Sequence, residues 1–309
     1  MAGRLAQRVV VVTGAGSGIG AAAARRCAEE DAVVIATDID GDAASRTARS
    51  LPGGGHLGLP HDVTSDADWD AVFQAAADGG HVVDGLANNA GIFHLHPIRD
   101  LDVDALQRML QVNVVGVALG QKHAARRMTH GGAIVNVSSV AGLVGAPMYN
   151  SYGATKGAVR AMTKGAAAEL AMQGIRVNSV HPGVIETPMA EAGVEQLGVD
   201  PERLKKAYPL RRFGQAREVA NAMLFLLSAD ATEEEREGRQ PEVGLGLSAT
   251  RGEPEEVHRQ PLIADGACLP RRRDAPECQE LERQLERSPH EAWPSGSRPA
   301  ALQAHRLLR

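Results

Sequence analysis

The chain is 309 residues long, 43% hydrophobic and 23% charged, with a formal net charge of −5. That is ample apolar material for a sizeable core, and the acidic balance leaves no electrostatic footprint for nucleic acid. No apolar stretch reaches the ~18–20 residues of a membrane helix, and Cys27, Cys268 and Cys278 have neither metal-ligand spacing nor an even disulfide framework. The N-terminus, MAGRLAQRVVVVTGAG, runs straight into a strand pattern instead of a cleavable leader. A reducing, cytoplasmic setting is therefore expected, with no metal, membrane or nucleic-acid partner.

In chain order, Val9 to Val12 is a four-valine strand, followed by TGAGSGIG at 13–20 and the alanine-rich helical pattern AAAARRCAEE. Gly14, Gly18 and Gly20 in a strand–loop–helix context permit a tight turn and close approach of backbone to a pyrophosphate. The helix N-terminus then presents free N–H groups. Ala32 to Thr37 is the next buried strand and ends in Asp38. An acidic residue about 20 positions past a glycine loop accepts hydrogen bonds from an adenosine ribose. The same carboxylate repels a 2′-phosphate, which predicts NAD(H) over NADP(H).

His56 to His61 is a weaker strand leading to Asp62 and Val63, and Val82 to Ala87 is another, ending in Asn88, Asn89, Ala90 and Gly91. Small and amide residues at that terminus allow backbone contact with a flat ligand. A helix with apolar positions at Leu101, Ala105, Leu106 and Met109 follows, and it carries Asn113 among apolar neighbours. A buried asparagine is either a satisfied core group or part of a hydrogen-bonded relay, and spacing alone favours the core.

The run Ala133 to Val137 is a buried strand that delivers Ser139 to the carboxyl edge of a sheet. Tyr152 and Lys156 lie four residues apart on the following helix, with Cβ atoms about 5–6 Å apart, so the ammonium is expected to depress the phenol's pKa. Taken alone, the pair reads equally as an ordinary helix-surface contact. The long helix ends near Gln173, a strand spans Ile175 to Val180, and His181 falls in a loop as a structural residue. Residues 188–212 lack periodicity and are expected to form a mobile flap. Leu143, Val144, Met148 and the flap suggest an apolar pocket. Strands alternating with helices imply an α/β architecture with a parallel, doubly wound sheet.

Together these motifs resemble the short-chain dehydrogenase/reductase family over about residues 5–230, with a Rossmann domain at 1–230. The resemblance rests on TGAGSGIG, Asp38, Asp62-Val63, NNAG at 88–91, Asn113, Ser139, Tyr152-x-x-x-Lys156, and the Pro182-Gly183 loop reaching Thr187. It implies that Tyr152 donates and accepts the proton and that Ser139 hydrogen-bonds the substrate oxygen. Lys156 would hold the nicotinamide ribose, and Asn113 would position a water in a proton relay, against the core reading. Gly14, Ser17, Gly18, Ile19, Gly20, Asp38, Asp62, Val63, Asn89, Ala90, Gly91, Tyr152, Lys156, Pro182, Ile185 and Thr187 would line the NAD site.

The implied reaction is reversible hydride transfer between NAD(H) and a secondary alcohol or ketone. The stretch from Ser139 through RVNSVHPGVIETPM is most similar to hydroxysteroid and cyclic-alcohol dehydrogenases. The alternatives are an enzyme like the 3-oxoacyl carrier-protein reductases, which usually use NADP(H), and a catalytically silent NAD-binding scaffold.

The family's ending is missing. Residues 231–309 hold 12 arginines, no lysine and 15 acidic residues, a composition expected to be disordered. Either Pro261 to Ala267 is a displaced last strand after an inserted loop, or the tail lies outside the family's frame, the reading preferred here. A homo-oligomer is implied, a dimer more readily than a tetramer.

Overall fold

The computed structural model describes residues 2–206 and 208–231, together with the backbone of Glu242–Leu245. Strand β1 (Val9–Thr13) leads through α1 (Gly18–Ala28) to β2 (Val33–Asp38), then α2 (Gly41–Ser50), β3 (Leu57–Pro60) and α3 (Asp66–Asp78). The second half begins with β4 (Gly85–Asn88), followed by α4 (Val103–Leu110) and α5 (Gly116–Arg127). Then come β5 (Gly132–Val137), α6 (Asn150–Leu170) and β6 (Ile175–Pro182). The two-residue strands β7 (Ile185–Glu186) and β8 (Gly214–Gln215) pair with each other around α7 (Pro188–Leu197) and α8 (Pro201–Lys206). Helix α9 (Ala216–Leu227) precedes β9 (Glu242–Leu245).

Seven strands form one parallel sheet in the order β3-β2-β1-β4-β5-β6-β9, so the winding reverses between β1 and β4. Alternate side chains of a strand point to opposite faces, and both faces here are covered. Val10 and Val12 pack with Ala24 of α1 and Met223 and Leu227 of α9, whereas Val9 and Val11 pack with Trp69, Phe73, Ala124 and Leu170 from α3, α5 and α6. Burial of each such side chain contributes roughly 1.5–3 kcal/mol.

Local chemistry fixes the helix starts. The side chains of Asp40, Ser65 and Asp102 accept hydrogen bonds from Ala43, Asp68 and Ala105 N–H groups, each closing an open first turn. A π-helical turn, Gln111–Val115, joins α4 to α5 and carries Asn113 on its buried side.

Three expectations change. Residues 188–212 are not an irregular flap: α7 begins on the Thr187 cap with Pro188 in its first turn and closes at Gly198, whose φ is 61°. His181 lies within β6, fully buried, and keeps a structural place there instead of in a loop. Leu101 stands before α4 and is exposed. The edge position beside β6 is taken by Glu242–Leu245, in register from Ser179↔Glu242 to Pro182↔Leu245. Residues 261–267, and the bulk of the tail expected to be disordered, lie outside the described residues.

Candidate active site

The carboxyl ends of β1, β2, β4, β5 and β6 converge where the winding reverses, the place at which open α/β sheets bind ligands. At the β1 end the chain turns through Gly14 (φ 64°) and Gly18 (φ 53°), both left-handed conformations that favour glycine. Gly20 is constrained by contact: a Cβ there would run into the Gly14 carbonyl and the Asn89 side-chain amide.

Asn89 secures this loop, its Nδ2 donating to the carbonyls of Thr13 (2.9 Å) and Gly14 (3.2 Å). The N–H groups of Asn89 and Ala90 donate to the Thr13 hydroxyl, each at 3.0 Å. Ser17 precedes α1 without a side-chain capping bond, and no acidic side chain stands in the first turn. The helix therefore offers open N–H groups and a positive dipole end, the donor set a pyrophosphate needs.

Asp38 closes the β2 end. Its carboxylate accepts from the N–H groups of Gly16 (2.8 Å) and Asp40 (3.0 Å), so the glycine loop and the acidic residue are one hydrogen-bonded unit. Asp62 accepts from Thr64, through N–H (2.9 Å) and hydroxyl (2.8 Å), at the end of β3. The Val63 side chain is buried in the core, where Gly116 of α5 makes room for it, and Ile19 packs on the opposite cluster. Thr187 reaches the same loop from the other side, since a Cβ on Gly18 would lie 3.2 Å from its Cγ2. Ile185, two residues earlier, is buried.

At the β5 end two glycines let α6 lie close to the strand's exit loop. A Cβ at Gly153 would stand 2.7 Å from the Ala141 carbonyl oxygen, and one at Gly142 would stand 2.7 Å from the Lys156 carbonyl carbon. This packing brings the Ser139 hydroxyl to the Tyr152 phenol, close enough to favour the phenolate. The Ser139 hydroxyl also donates to the Pro182 carbonyl (3.4 Å), while buried His181 bonds Ser179 Oγ (2.9 Å) and the Ser139 carbonyl (3.4 Å). Asn113, fully buried, accepts from Ile92 N–H (2.8 Å) and donates to the Ile92 carbonyl (2.9 Å) and to Thr155 Oγ1 (3.1 Å). Gly91 lies between the two groups of residues: a Cβ there would be 3.2 Å from Asn113 Oδ1 and 3.5 Å from Lys156 Nζ.

The expected depression of the phenol by Lys156 is not what this geometry gives. Burial pushes the Tyr152 phenol up to about 12, the Ser139 hydroxyl opposes that rise, and neighbouring Tyr149 adds to it. Burial also draws Lys156 down to about 8. The reason lies in where the ammonium points. Nζ donates to the Val137 carbonyl (2.9 Å) and sits 5.7 Å from the centre of the Tyr152 ring. In this arrangement Tyr152 holds its proton throughout the neutral range.

Sequence reasoning passed over Thr13, Ser138, Thr155 and Phe93. Ser138 donates to the Lys156 carbonyl (2.8 Å) and Thr155 to the Tyr152 carbonyl (2.8 Å), two bonds that fix the turn of α6 bearing both side chains. The available signals were a hydroxyl ending an all-valine strand, a threonine inside the Tyr-x-x-x-Lys spacing, and an aromatic two residues past Gly91 in a chain with 3% aromatic content.

A family model described as Enoyl-(Acyl carrier protein) reductase matches residues 14–233. The chain is 41% identical over 241 residues to 2-(S)-hydroxypropyl-CoM dehydrogenase 3 of Xanthobacter autotrophicus, covering 75% of this chain and 93% of that one. It is 40% identical over 235 residues to cyclopentanol dehydrogenase of a Comamonas species, covering 74% and 93%. A crystal structure of a short-chain type dehydrogenase/reductase from Mycobacterium marinum superposes with a TM-score of 0.72 at 31% identity, covering 80% of this chain and 97% of that one.

Proposed function

The chain belongs to the short-chain dehydrogenase/reductase family, and from that premise we propose an NAD(H)-dependent dehydrogenase of cyclic secondary alcohols. Its reaction class is that of an alcohol/ketone oxidoreductase. The observation that carries the residue roles is the meeting of Ser139 and Tyr152 at the winding reversal, with Lys156 one turn along the same buried helix face.

The nicotinamide, when bound, supplies hydride transfer to or from the carbinol carbon. Tyr152 gives its phenolic proton to the carbonyl oxygen during reduction and receives the hydroxyl proton during oxidation. Ser139 orients that oxygen, with its own position set by Pro182 and His181. Lys156 would hold the cofactor ribose, and Asn113 would position a water through which the proton leaves. Gly14, Ser17, Gly18, Ile19 and Gly20 would receive the pyrophosphate. Asp62, Val63, Asn89 to Gly91, Pro182, Ile185 and Thr187 would hold the rest of the cofactor.

The NAD preference rests on Asp38. Its carboxylate already organises Gly16 and Asp40, and a 2′-phosphate placed beside it would meet a like charge. Asp38→Asn should therefore tighten NADP(H) binding by about tenfold, an effect of about 1.4 kcal/mol, with a smaller loss for NAD(H). Equal NADP(H) affinity in variant and wild type would refute the assignment.

The deciding experiment is Tyr152→Phe assayed with cyclopentanol and related cyclic alcohols, beside NAD(H) binding by thermal shift. Turnover should fall by roughly 100-fold or more while the cofactor still raises the melting temperature. Turnover at the wild-type rate would remove Tyr152 from the mechanism.

A further inference from the structure

We propose that Phe93 is a positioning residue for Tyr152, held against the phenol ring by α7 through Gly193; the inference rests on the catalytic reading of Tyr152 given above. Phe93 follows Gly91 on the loop leaving β4, and its ring meets Tyr152 edge-on, with centroids 4.8 Å apart and planes at 90°. It lies 5.7 Å from Tyr149, and Tyr149 is 6.4 Å from Tyr152, so the three rings form one cluster. Edge-to-face contact at these separations is a favourable, orientation-specific arrangement.

The other side of Phe93 is closed by α7. Gly193 is buried, and a Cβ there would stand 2.7 Å from Phe93 Cε1, closer than real Cβ atoms approach anything. The Leu95 N–H donates to Gln196 Oε1 (3.3 Å), tying the same loop to the same helix one turn further on. The ring is thus held between the catalytic phenol and a helix that presents a glycine at the point of contact.

Two consequences follow for the chemistry. A clamped ring limits the phenol's orientation toward Ser139, and it keeps water from one side of it. Among the described residues, the titratable or polar groups facing the phenol are Ser139 after β5, Tyr149 just before α6 and Lys156 within it. The loop after β4 faces it with the uncharged Phe93, and the acidic residues of α7, Glu191 and Glu195, are exposed. Removing the ring admits water to the phenol without removing any charge from around it.

The test combines Phe93→Ala, Phe93→Leu, Gly193→Ala and the double variant Phe93→Ala/Gly193→Ala. Phenolate absorbance is titrated in the absence of substrate, with Tyr152→Phe as the blank. Cyclic-alcohol turnover is measured against pH in parallel. In Phe93→Ala the Tyr152 ionisation should move down by about one unit and kcat should fall about tenfold, with KM for NAD(H) unchanged. Phe93→Leu, which keeps bulk, should recover most of both. Gly193→Ala should reproduce a smaller shift that disappears once residue 93 is alanine, because the added methyl then has nothing to push. A phenol that titrates at its wild-type pH in Phe93→Ala, or a Gly193→Ala effect of equal size in both backgrounds, would overturn the proposal. The titration needs no substrate, so failure to oxidise cyclic alcohols would count against the alcohol assignment alone.

Discussion

The two ends of this site are built in different ways. Around β1 and β2 the geometry is carried by backbone: Gly14 and Gly18 adopt left-handed conformations, Gly20 has no space for a side chain, and Gly16 N–H binds Asp38. Around β5 and α6 it is carried by buried side chains bonded to backbone: Asn113 to Ile92, Lys156 to Val137, Ser138 to Lys156, and Ser139 to Pro182. The first end therefore fails by collision, when an atom is added. The second fails by desolvation, when a partner is taken away and a polar group is left buried and unpaired.

The sharpest break is expected at the β5–α6 end. Asn113→Leu keeps the branched heavy-atom skeleton but leaves the Ile92 N–H and carbonyl without the partner each has, and removes the donor to Thr155. At roughly 1–3 kcal/mol for each orphaned group, the loss is about 4 kcal/mol, a large share of an ordinary domain's stability. Urea denaturation measures it. A loss under about 1 kcal/mol would mean that water replaces the amide and that this end is less rigid than its hydrogen bonds imply.

Gly20→Ala attacks the other end by adding one methyl. That methyl meets the Gly14 carbonyl and the Asn89 amide, which must shift and carry the loop with them. Overpacking of this kind costs about 1–3 kcal/mol. The expected outcome is nicotinamide-cofactor binding weakened by up to about 100-fold, read by cofactor fluorescence titration, while Tyr152 ionises at its wild-type pH. A change in that ionisation would show that the two ends are mechanically coupled and would blur the comparison.

The same difference decides what could be read before the fold was seen. Parallel strands covered on both faces appear as short apolar runs, so Val9–Thr13, Val33–Asp38 and Gly132–Val137 stand out, and glycine spacing marks a backbone-built loop directly. Tyr152 and Lys156 share a helix face by spacing alone. What could not be read were partners distant in the chain: the Val137 carbonyl that takes the Lys156 ammonium, and the π-helical turn that aims Asn113 at Ile92. Phe93 carries no spacing relation to Gly193, exactly 100 residues later in the numbering, and their contact appears only in three dimensions. Helix α7 shows only a short, small-residue apolar stripe at Ala190, Gly193, Val194 and Leu197, although Thr187, Pro188 and Gly198 spell its ends. The four-residue strand at Glu242–Leu245 sits beside the charged run EEERE, too short and too polar in its surroundings to show a period.

The mildest prediction concerns a buried side chain at the end otherwise built from backbone. His61 follows β3, with Nδ1 2.9 Å from Thr37 Oγ1 and its ring edge-on to Trp69 at 4.4 Å, while Nε2 has no partner among the described residues. Burial lowers its pKa from 6.5 to about 4, more than offsetting the pull of Asp68 and Asp62, and His123 lowers it further. The unfolded chain thus takes up this proton more readily than the folded one. The stability contributed is complete above about pH 6.5, declines as the pH falls toward 4, and levels off below that. At pH 5 the decline amounts to about 2 kcal/mol. Asp66 and Glu218, held near 2 by their cationic partners, weaken the fold only at lower pH, so the two effects separate. His61→Gln keeps an acceptor for Thr37 but cannot be charged, and its denaturation midpoint should stay level between pH 6.5 and 5 where the wild type declines. Parallel curves would locate the acid sensitivity elsewhere, leaving the cofactor end a backbone structure with an inert imidazole beneath it.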